Sequence, residues 1–245
     1  MTSYLRLEVL RMVRDRRFVF FTMAVPVAFY LLFAATSHGA GRDAATGLTA
    51  QVYLMVSMAA YGAIGAALTT TGSRLAAERQ TGWLRQLRAT PLSARAVITA
   101  KTLASMVLAL PAILLVGVVA FTVEGVRLSP GQWIGIVALM WVATLPFAAL
   151  GTLIGSLVGA DAAQPVTLAC YFSLSIIGGL WMPVSQLPSA LRTISGWTPS
   201  NRFAELGRAI AAGHTPTATA GLVLAGWTVA LATLATIAYR RTVAS

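Results

Sequence analysis

Charged residues are scarce in this chain of 245 residues: they make up 10% of it, whereas hydrophobic residues make up 57%. A soluble domain carries about 25% charged residues, so this sequence lacks the side chains needed to cover a water-exposed surface. The same balance excludes an intrinsically disordered chain, which combines high charge with low hydrophobicity. The composition therefore indicates a polytopic membrane protein. The net charge of +11 does not indicate a nucleic-acid partner, because the basic residues lie beside apolar runs with the length of membrane spans.

Cysteine and histidine are nearly absent as well. Cys170 is the sole cysteine, so the chain cannot form an intrachain disulfide, and its apolar surroundings predict a small buried side chain. His38 and His214 lie in connections between apolar runs. No group of His, Cys, Asp and Glu has the spacing of metal ligands, and we expect no metal site.

The sequence also lacks a nucleotide-binding motif. A P-loop requires G-x-x-x-x-G-K-[ST], but Lys101, which precedes Thr102, has no glycine between Ala89 and itself. No ionisable residue falls at the centre of an apolar run, which argues against ion-coupled transport and against an intramembrane enzyme. We therefore expect a chain that is not an enzyme and binds no cofactor. Any ATP and magnesium would be held by a partner subunit.

Six apolar runs have about the 20 residues that a transmembrane helix needs. They cover approximately residues 18–36, 52–71, 102–123, 133–157, 162–181 and 218–239. The connections between them are too short to fold as a soluble domain. The sequence thus predicts an all-α membrane protein with six transmembrane helices, forming a single domain over residues 1–245.

Basic residues are distributed unevenly across this predicted topology. Thirteen of the 18 lie in the N-terminal segment, in the loop 72–101 and in the C-terminal tail. The positive-inside rule places these three segments, and hence both termini, in the cytoplasm. The preference for arginine over lysine is typical of a GC-rich bacterial source, so we expect a multi-pass protein of a bacterial inner membrane.

The first residues predict an amphipathic helix that lies at the membrane interface. At helical spacing, one face is apolar and the charged residues fall largely opposite to it. The apolar face consists of Leu5, Val9, Met12 and Val13, and the opposite residues are Glu8, Arg11, Arg14 and Asp15.

The loop 72–101 has two open interpretations. Residues 73–88 contain good helix formers, and Pro91 predicts a break near Thr90. Trp83, Leu84 and Leu87 are apolar and lie beside arginines. Such a helix could lie on anionic lipid or could dock a soluble partner. Glu78, an acidic residue among basic ones, could pair with Arg79 or Arg74, or with a basic group of that partner.

The pattern Glu78-Arg79-x-x-Gly82-x-x-x-x-Leu87-x-x-Thr90-Pro91-Leu92 resembles the cytoplasmic loop of ABC-2 type permeases, the membrane subunits of ATP-binding-cassette exporters. The segments 181–188 and 197–202 resemble the outer re-entrant hairpin of that family and the proline-containing turn that follows it. The resemblance implies a cytoplasmic coupling helix that contacts a P-loop ABC ATPase subunit. The coupling residues would be Glu78, Arg79, Gly82, Leu87, Thr90 and Pro91.

The resemblance also implies a pore between two permease copies, either as a homodimer or as a heterodimer. Spans two and five would line it, and the candidate wall residues are Tyr61, Phe172 and Ser173. A lining without charge favours export of a hydrophobic or amphipathic compound such as a drug, an antibiotic or a lipid-like molecule, as in multidrug resistance.

Two alternatives stay open at this point. One is an ABC permease of the haem- or cytochrome-maturation type, which has a similar number of spans. The other is a membrane protein without transport activity, such as an assembly factor or a sensor partner. A cargo flux that depends on an ATPase would support either kind of permease and would contradict the alternative without transport activity.

Overall fold

The computed structural model describes residues 2–37, 41–42, 46–81 and 94–244. Within these ranges the secondary structure is helical, and they contain no β-strand. The helices, in chain order, are α1 (Thr2–Arg14), α2 (Arg16–Thr36), α3 (Ala50–Thr71), α4 (Ser73–Gln80), α5 (Ala94–Thr122), α6 (Pro130–Val142), α7 (Leu145–Leu157), α8 (Ala160–Ile177), α9 (Ser189–Ser195), α10 (Pro199–Ala211) and α11 (Ala218–Ala244).

Five helical stretches of the described residues are long and apolar enough to cross a membrane. They are Val19–Thr36, Ala50–Gln80, Ala96–Thr122, Pro130–Leu157 and Ala218–Arg241. They coincide with the first, second, third, fourth and sixth predicted spans. The fifth predicted span corresponds to α8, whose 18 residues include Asp161, Gln164 and Pro165 and are therefore less apolar than the other five stretches.

The fourth predicted span is confirmed as a stretch of sufficient length, Pro130–Leu157, and within it a break separates α6 from α7. Pro146 occupies the first turn of α7, where its missing N–H removes no helical bond. The Thr144 hydroxyl donates to the Trp141 carbonyl at 2.6 Å, and the Thr144 N–H donates to the same oxygen at 3.3 Å. These two bonds occupy the Trp141 carbonyl at the break, whereas the carbonyl that loses its helical donor to Pro146 is that of Val142.

Helix α3 lies at the centre of the bundle. It packs most extensively against α5 and also contacts α2, α7, α8 and α10. Nearly all of its side chains from Tyr53 to Thr71 are buried. Small residues make this burial possible, since they let helix backbones approach closely in lipid. At Gly62, for example, an added Cβ would lie 2.9 Å from the Pro26 ring of α2.

Segment 178–217 joins α8 to α11 and includes a single turn of 3₁₀ helix at Val184–Gln186, followed by α9 and α10. Helix α10 begins with Pro199 at its first position, and the Thr198 hydroxyl accepts from the Asn201 N–H, an arrangement typical of a helix N-terminus. Phe203, Ala204 and Leu206 of α10 belong to the central core. Segment 178–217 is thus packed against the bundle.

Helix α1 packs against the beginning of α5, and this contact corrects the predicted polar face. Leu5 and Val9 pack against the core, as expected from their spacing. Glu8, expected opposite to the apolar face, is only 3% exposed, whereas Leu7 and Leu10 are more than 40% exposed. Glu8 therefore faces the protein. The side chains of Met12 and Val13 lie outside the described residues.

Candidate functional site

Three charged side chains meet in the protein interior where α1, α4 and α5 converge. The Lys101 ammonium of α5 lies 3.1 Å from Glu8 Oε1 of α1 and 2.6 Å from Glu78 Oε2 of α4. The side chains of Lys101 and Glu8 are each 4% exposed, and that of Glu78 is 17% exposed. We call this group the Lys101 cluster.

The Lys101 cluster constrains three helices through one cation. An ammonium group has three donors, which lets Lys101 serve two carboxylates from different helices at once. Removing charges from water is costly, and their mutual attraction offsets that cost only while the geometry is kept. A movement of α1 or α4 relative to α5 would separate buried ions, so the cluster favours joint movement of the three helices.

Arg79 connects α4 to the fourth span. Its Nη1 donates to the Gly155 carbonyl at 2.9 Å and to the Val158 carbonyl at 3.2 Å. Both acceptors are in the last turn of α7 or directly after it, where carbonyls have no intrahelical donor and a cation is favourable to the helix dipole. Glu78 and Arg79 are adjacent in sequence, so one turn of α4 is bound to both α5 and α7.

Close packing supports the contact between α4 and α7. Leu75 and Ala76 of α4 are buried. An added Cβ at Gly155 of α7 would lie 2.5 Å from the Gly72 carbonyl and 2.9 Å from Leu75 Cβ. Only glycine allows this separation, so α4 rests directly on the α7 backbone.

A third ion pair lies nearer the protein surface. Arg74 of α4 contacts the Asp15 carboxylate, between α1 and α2, at 2.8 Å. Its side chains are 26% and 47% exposed, and pairs of this kind contribute about 0–1 kcal/mol. The pair adds a further contact between α4 and the N-terminal helices, but the Lys101 cluster carries the larger electrostatic effect.

The structure brings together only part of the predicted coupling set. Glu78 and Arg79 lie in the arrangement just described, although Glu78 pairs with Lys101 rather than with Arg79 or Arg74. Gly82, Leu87, Thr90 and Pro91 lie outside the described residues. Sequence reasoning missed Glu8 and Lys101 as members of the site. The available signal was the identity of Lys101, the single lysine in a chain with 17 arginines.

The predicted wall residues lie on or beside an aromatic cluster formed by α2, α3, α8 and the turn after α8. Tyr61 stacks on Tyr171 with ring centres 4.5 Å apart, and the Tyr171 hydroxyl donates to the Tyr61 carbonyl at 2.9 Å. Phe172 packs edge-on against Trp181 and is 41% exposed. Ser173 is exposed beside it. Tyr61 itself is buried, so Phe172 and Ser173 present the accessible part of this face.

An apolar cavity of about 290 Å³ runs along the same face. Its walls include Phe21 and Val25 of α2, Tyr61 of α3, and Leu168 and Phe172 of α8. Its polar lining is limited to uncharged groups such as Thr22, Thr69 and Gln164.

At the other end of α3, a buried arginine holds the turn that follows α8. The Arg208 guanidinium of α10 lies 4.2 Å above the Tyr53 ring, a favourable cation–π geometry. Arg208 donates to the Gly179 carbonyl at 3.2 Å, and the Tyr53 hydroxyl donates to the same oxygen at 3.3 Å. Gly179 has φ +67°, a conformation that favours glycine. In the described part of the chain, no three His, Cys, Asp or Glu side chains could hold a metal ion.

These features define a multi-pass helical membrane protein in which charged contacts join α1, α4, α5 and α7. The family model described as "ABC-2 family transporter protein" matches residues 41–239. The chain therefore belongs to the ABC-2 family of transporter proteins, and the resemblance seen in the sequence is confirmed. The chain is also 28% identical over 212 residues to the Bacillus subtilis (strain 168) protein named "Putative transport permease YvfS". That alignment covers 86% of this chain and 84% of the relative.

Proposed function

We propose that this protein is the membrane-spanning permease subunit of an ATP-driven exporter and that a separate P-loop ATPase subunit supplies the energy. The observation that carries the proposal is the Lys101 cluster together with Arg79. These contacts bind α4, which directly precedes loop 82–93, to the third and fourth spans. A force applied by a partner to the loop would therefore reach α5 through Glu78 and α7 through Arg79.

The proposed topology has six spans with both termini in the cytoplasm. Helix α8 is the sixth spanning element: its 18 residues extend for about 27 Å at 1.5 Å per residue, close to the roughly 30 Å of hydrocarbon. Helix α8 packs against α3 and α7, while Gln164 and Pro165 lie on its exposed face. Segment 178–217 then forms the outer re-entrant element. The segment 78–92 is the proposed coupling element, and α1 lies at the cytoplasmic interface of a bacterial inner membrane.

We further propose that two permease copies enclose the pore. The aromatic face of α2, α3 and α8 exposes Phe20 and Phe21 as well as Phe172, and an exposed apolar face of this kind suits a second copy. The cavity along it offers no charge to a passing molecule. Such a lining favours a hydrophobic or amphipathic cargo, for example a drug, an antibiotic or a lipid-like compound.

Disruption of the contact between α4 and α7 should uncouple export from ATP hydrolysis. Arg79→Gln removes the charge from two hydrogen bonds, each worth about 1.5–3 kcal/mol when a charged group takes part. We expect the variant to remain in the membrane and to bind the ATPase, while ATP-dependent export falls at least about tenfold. The measurement is export and ATPase activity in vesicles that contain the complex isolated from native membranes.

Arg192→Gln is the matched control for this experiment. Arg192 also donates to two backbone carbonyls, those of Ser185 and Leu187, but on the proposed outer side. It should export normally. Full export by Arg79→Gln would contradict the proposed coupling of α4 to α7. If no ATPase co-purifies with the permease from cross-linked membranes, the result would favour the alternative of a membrane protein without transport activity.

Ser173 provides a direct test of the pore wall. In a Cys170→Ser background, Ser173→Cys should react with a small maleimide at a rate that changes severalfold when a non-hydrolysable ATP analogue binds the complex. Thr233→Cys is the control, because Thr233 is an exposed position of α11 away from the aromatic face. Equal rates with and without the analogue at Ser173→Cys would remove this residue from the proposed pore.

A further inference from the structure

A second apolar cavity, larger than the one on the aromatic face, lies between α3, α5 and α6. It is an open groove of about 670 Å³ with walls formed by Met55 of α3, Ile113 and Phe121 of α5, and Trp133 and Trp141 of α6. The Trp141 indole N–H donates to the Met106 carbonyl at 2.9 Å. The groove therefore presents an almost wholly apolar surface, and we call it the α3–α5–α6 groove.

A glycine shapes the groove. An added Cβ at Gly117 would lie 3.1 Å from the Trp133 ring, so the absence of a side chain here lets the indole rest close against α5. From Ile113 to Phe121 the groove follows α5 for about 12 Å at 1.5 Å per residue. One leaflet contributes about half of a 30 Å hydrocarbon core, so this length is close to the depth of a single leaflet.

A polar pocket of about 390 Å³ lies at the end of the groove that is near the α5–α6 turn. Its walls include Arg42, Arg127, Gln51 and Glu124. The two spaces meet at Phe121: its ring lines the groove, and the Arg127 guanidinium lies 4.2 Å above that ring. Arg127 also donates to the Phe121 carbonyl at 3.0 Å, and Arg42 donates to the Gly47 carbonyl at 3.0 Å.

We propose that the groove and the pocket together bind one glycerophospholipid, with an acyl chain along α5 and its phosphate beside Arg42 and Arg127. Each guanidinium has five N–H donors in a planar fork that matches phosphate oxygens. Among the described residues that line the pocket, two arginines outweigh Glu124, so this lining carries a net positive charge. With the termini in the cytoplasm, as proposed above, this lipid would belong to the outer leaflet.

The lipid site lies on a different face of α3 from the proposed pore. The groove uses Met55, Val56 and Ala59 of α3, whereas the cavity on the aromatic face uses Tyr61, Gly62 and Gly65. The occupant is therefore a resident lipid of the permease rather than its cargo. The inference goes beyond the transport proposal and does not depend on the ATPase partner.

The test is native mass spectrometry of the purified full-length chain in detergent, titrated with phosphatidylglycerol. We expect a first lipid that binds more tightly than later ones. Arg42→Gln/Arg127→Gln should weaken this first step at least about fivefold, the effect of removing a cation from an anionic lipid. Ala138→Phe should weaken it similarly, because Ala138 is exposed in the groove wall and the new ring occupies the acyl position.

Two matched variants control for general effects. Arg192→Gln removes an outer arginine away from the pocket, and Ala232→Phe adds a ring at an exposed position of α11; both should bind the first lipid as the unchanged chain does. Diacylglycerol with the same acyl chains should bind more weakly than phosphatidylglycerol. The proposal is overturned if either the double arginine variant or Ala138→Phe retains full affinity, or if diacylglycerol binds equally well. These results require no ATPase and no cargo, so they leave the transport proposal unaffected.

Discussion

Replacing Lys101 with methionine is expected to destabilise the protein by about 3–5 kcal/mol, the cost of leaving buried charge uncompensated. The variant deprives Glu8 and Glu78 of the cation they share at 3.1 and 2.6 Å. Methionine has nearly the length of lysine, so packing is largely retained and the electrostatic change dominates. The measurement is unfolding of the purified chain in mixed detergent micelles, together with ATP-dependent export.

The triple variant Glu8→Gln/Glu78→Gln/Lys101→Met separates electrostatics from coupling. Uncharged replacements of a buried ion cluster are often neutral or stabilising, so we expect most of the lost stability to return. Export should stay low, because the ion pairs that bind α1 and α4 to α5 are absent. Wild-type stability of the single Lys101→Met variant would show that the cluster is hydrated and would contradict its proposed role.

The second large effect is expected at Gly155. In Gly155→Ala the new methyl group would lie 2.5 Å from the Gly72 carbonyl and 2.9 Å from Leu75 Cβ. The Gly72 carbonyl belongs to the backbone, so it cannot move away from the methyl group as the end of a flexible side chain could. Overpacking of this kind costs about 1–3 kcal/mol. Displacement of α4 would also weaken the bonds of Arg79 to α7, so we expect export to fall with stability.

Gly226→Ala is the matched control, because Gly226 also lies inside a helix and an added Cβ there has nothing within 4 Å. Alanine exceeds glycine in helix propensity by about 0.8–1.0 kcal/mol, so this variant should gain stability where Gly155→Ala loses it. The same unfolding assay measures both. Similar changes in the two variants would mean that the close approach of α4 to α7 contributes little.

The sequence predicted the spanning helices well because the length of an apolar run reflects the thickness of the bilayer directly. Five of the six predicted runs coincide with stretches that satisfy the length and apolarity of a span. The fourth run coincides with Pro130–Leu157, but the length of the run does not show that two helices share it. Composition gives no information on whether a proline bends a helix or begins a new one, and Pro146 begins α7.

The charged site was only partly predictable. Glu78 and Arg79 were identified through a family motif, whereas their partners lie far along the chain, at Lys101 and at the carbonyls of Gly155 and Val158. Helical spacing placed Glu8 opposite to the apolar face, and this was wrong because α5 supplies a buried cation to that side of α1. Periodicity reports hydrophobicity, but it contains no information on a charge contributed by a distant helix.

The break between α6 and α7 divides one membrane crossing between two groups of neighbours. Helix α6 packs against α10 and α5, whereas α7 packs mainly against α11 and also against α3 and α4. The half of the crossing formed by α7 is therefore held by α11, α3 and α4, and the half formed by α6 is held by α10 and α5. Ala143 and Thr144 alone join the two halves, so a displacement of one half is not transmitted to the other along an unbroken helix.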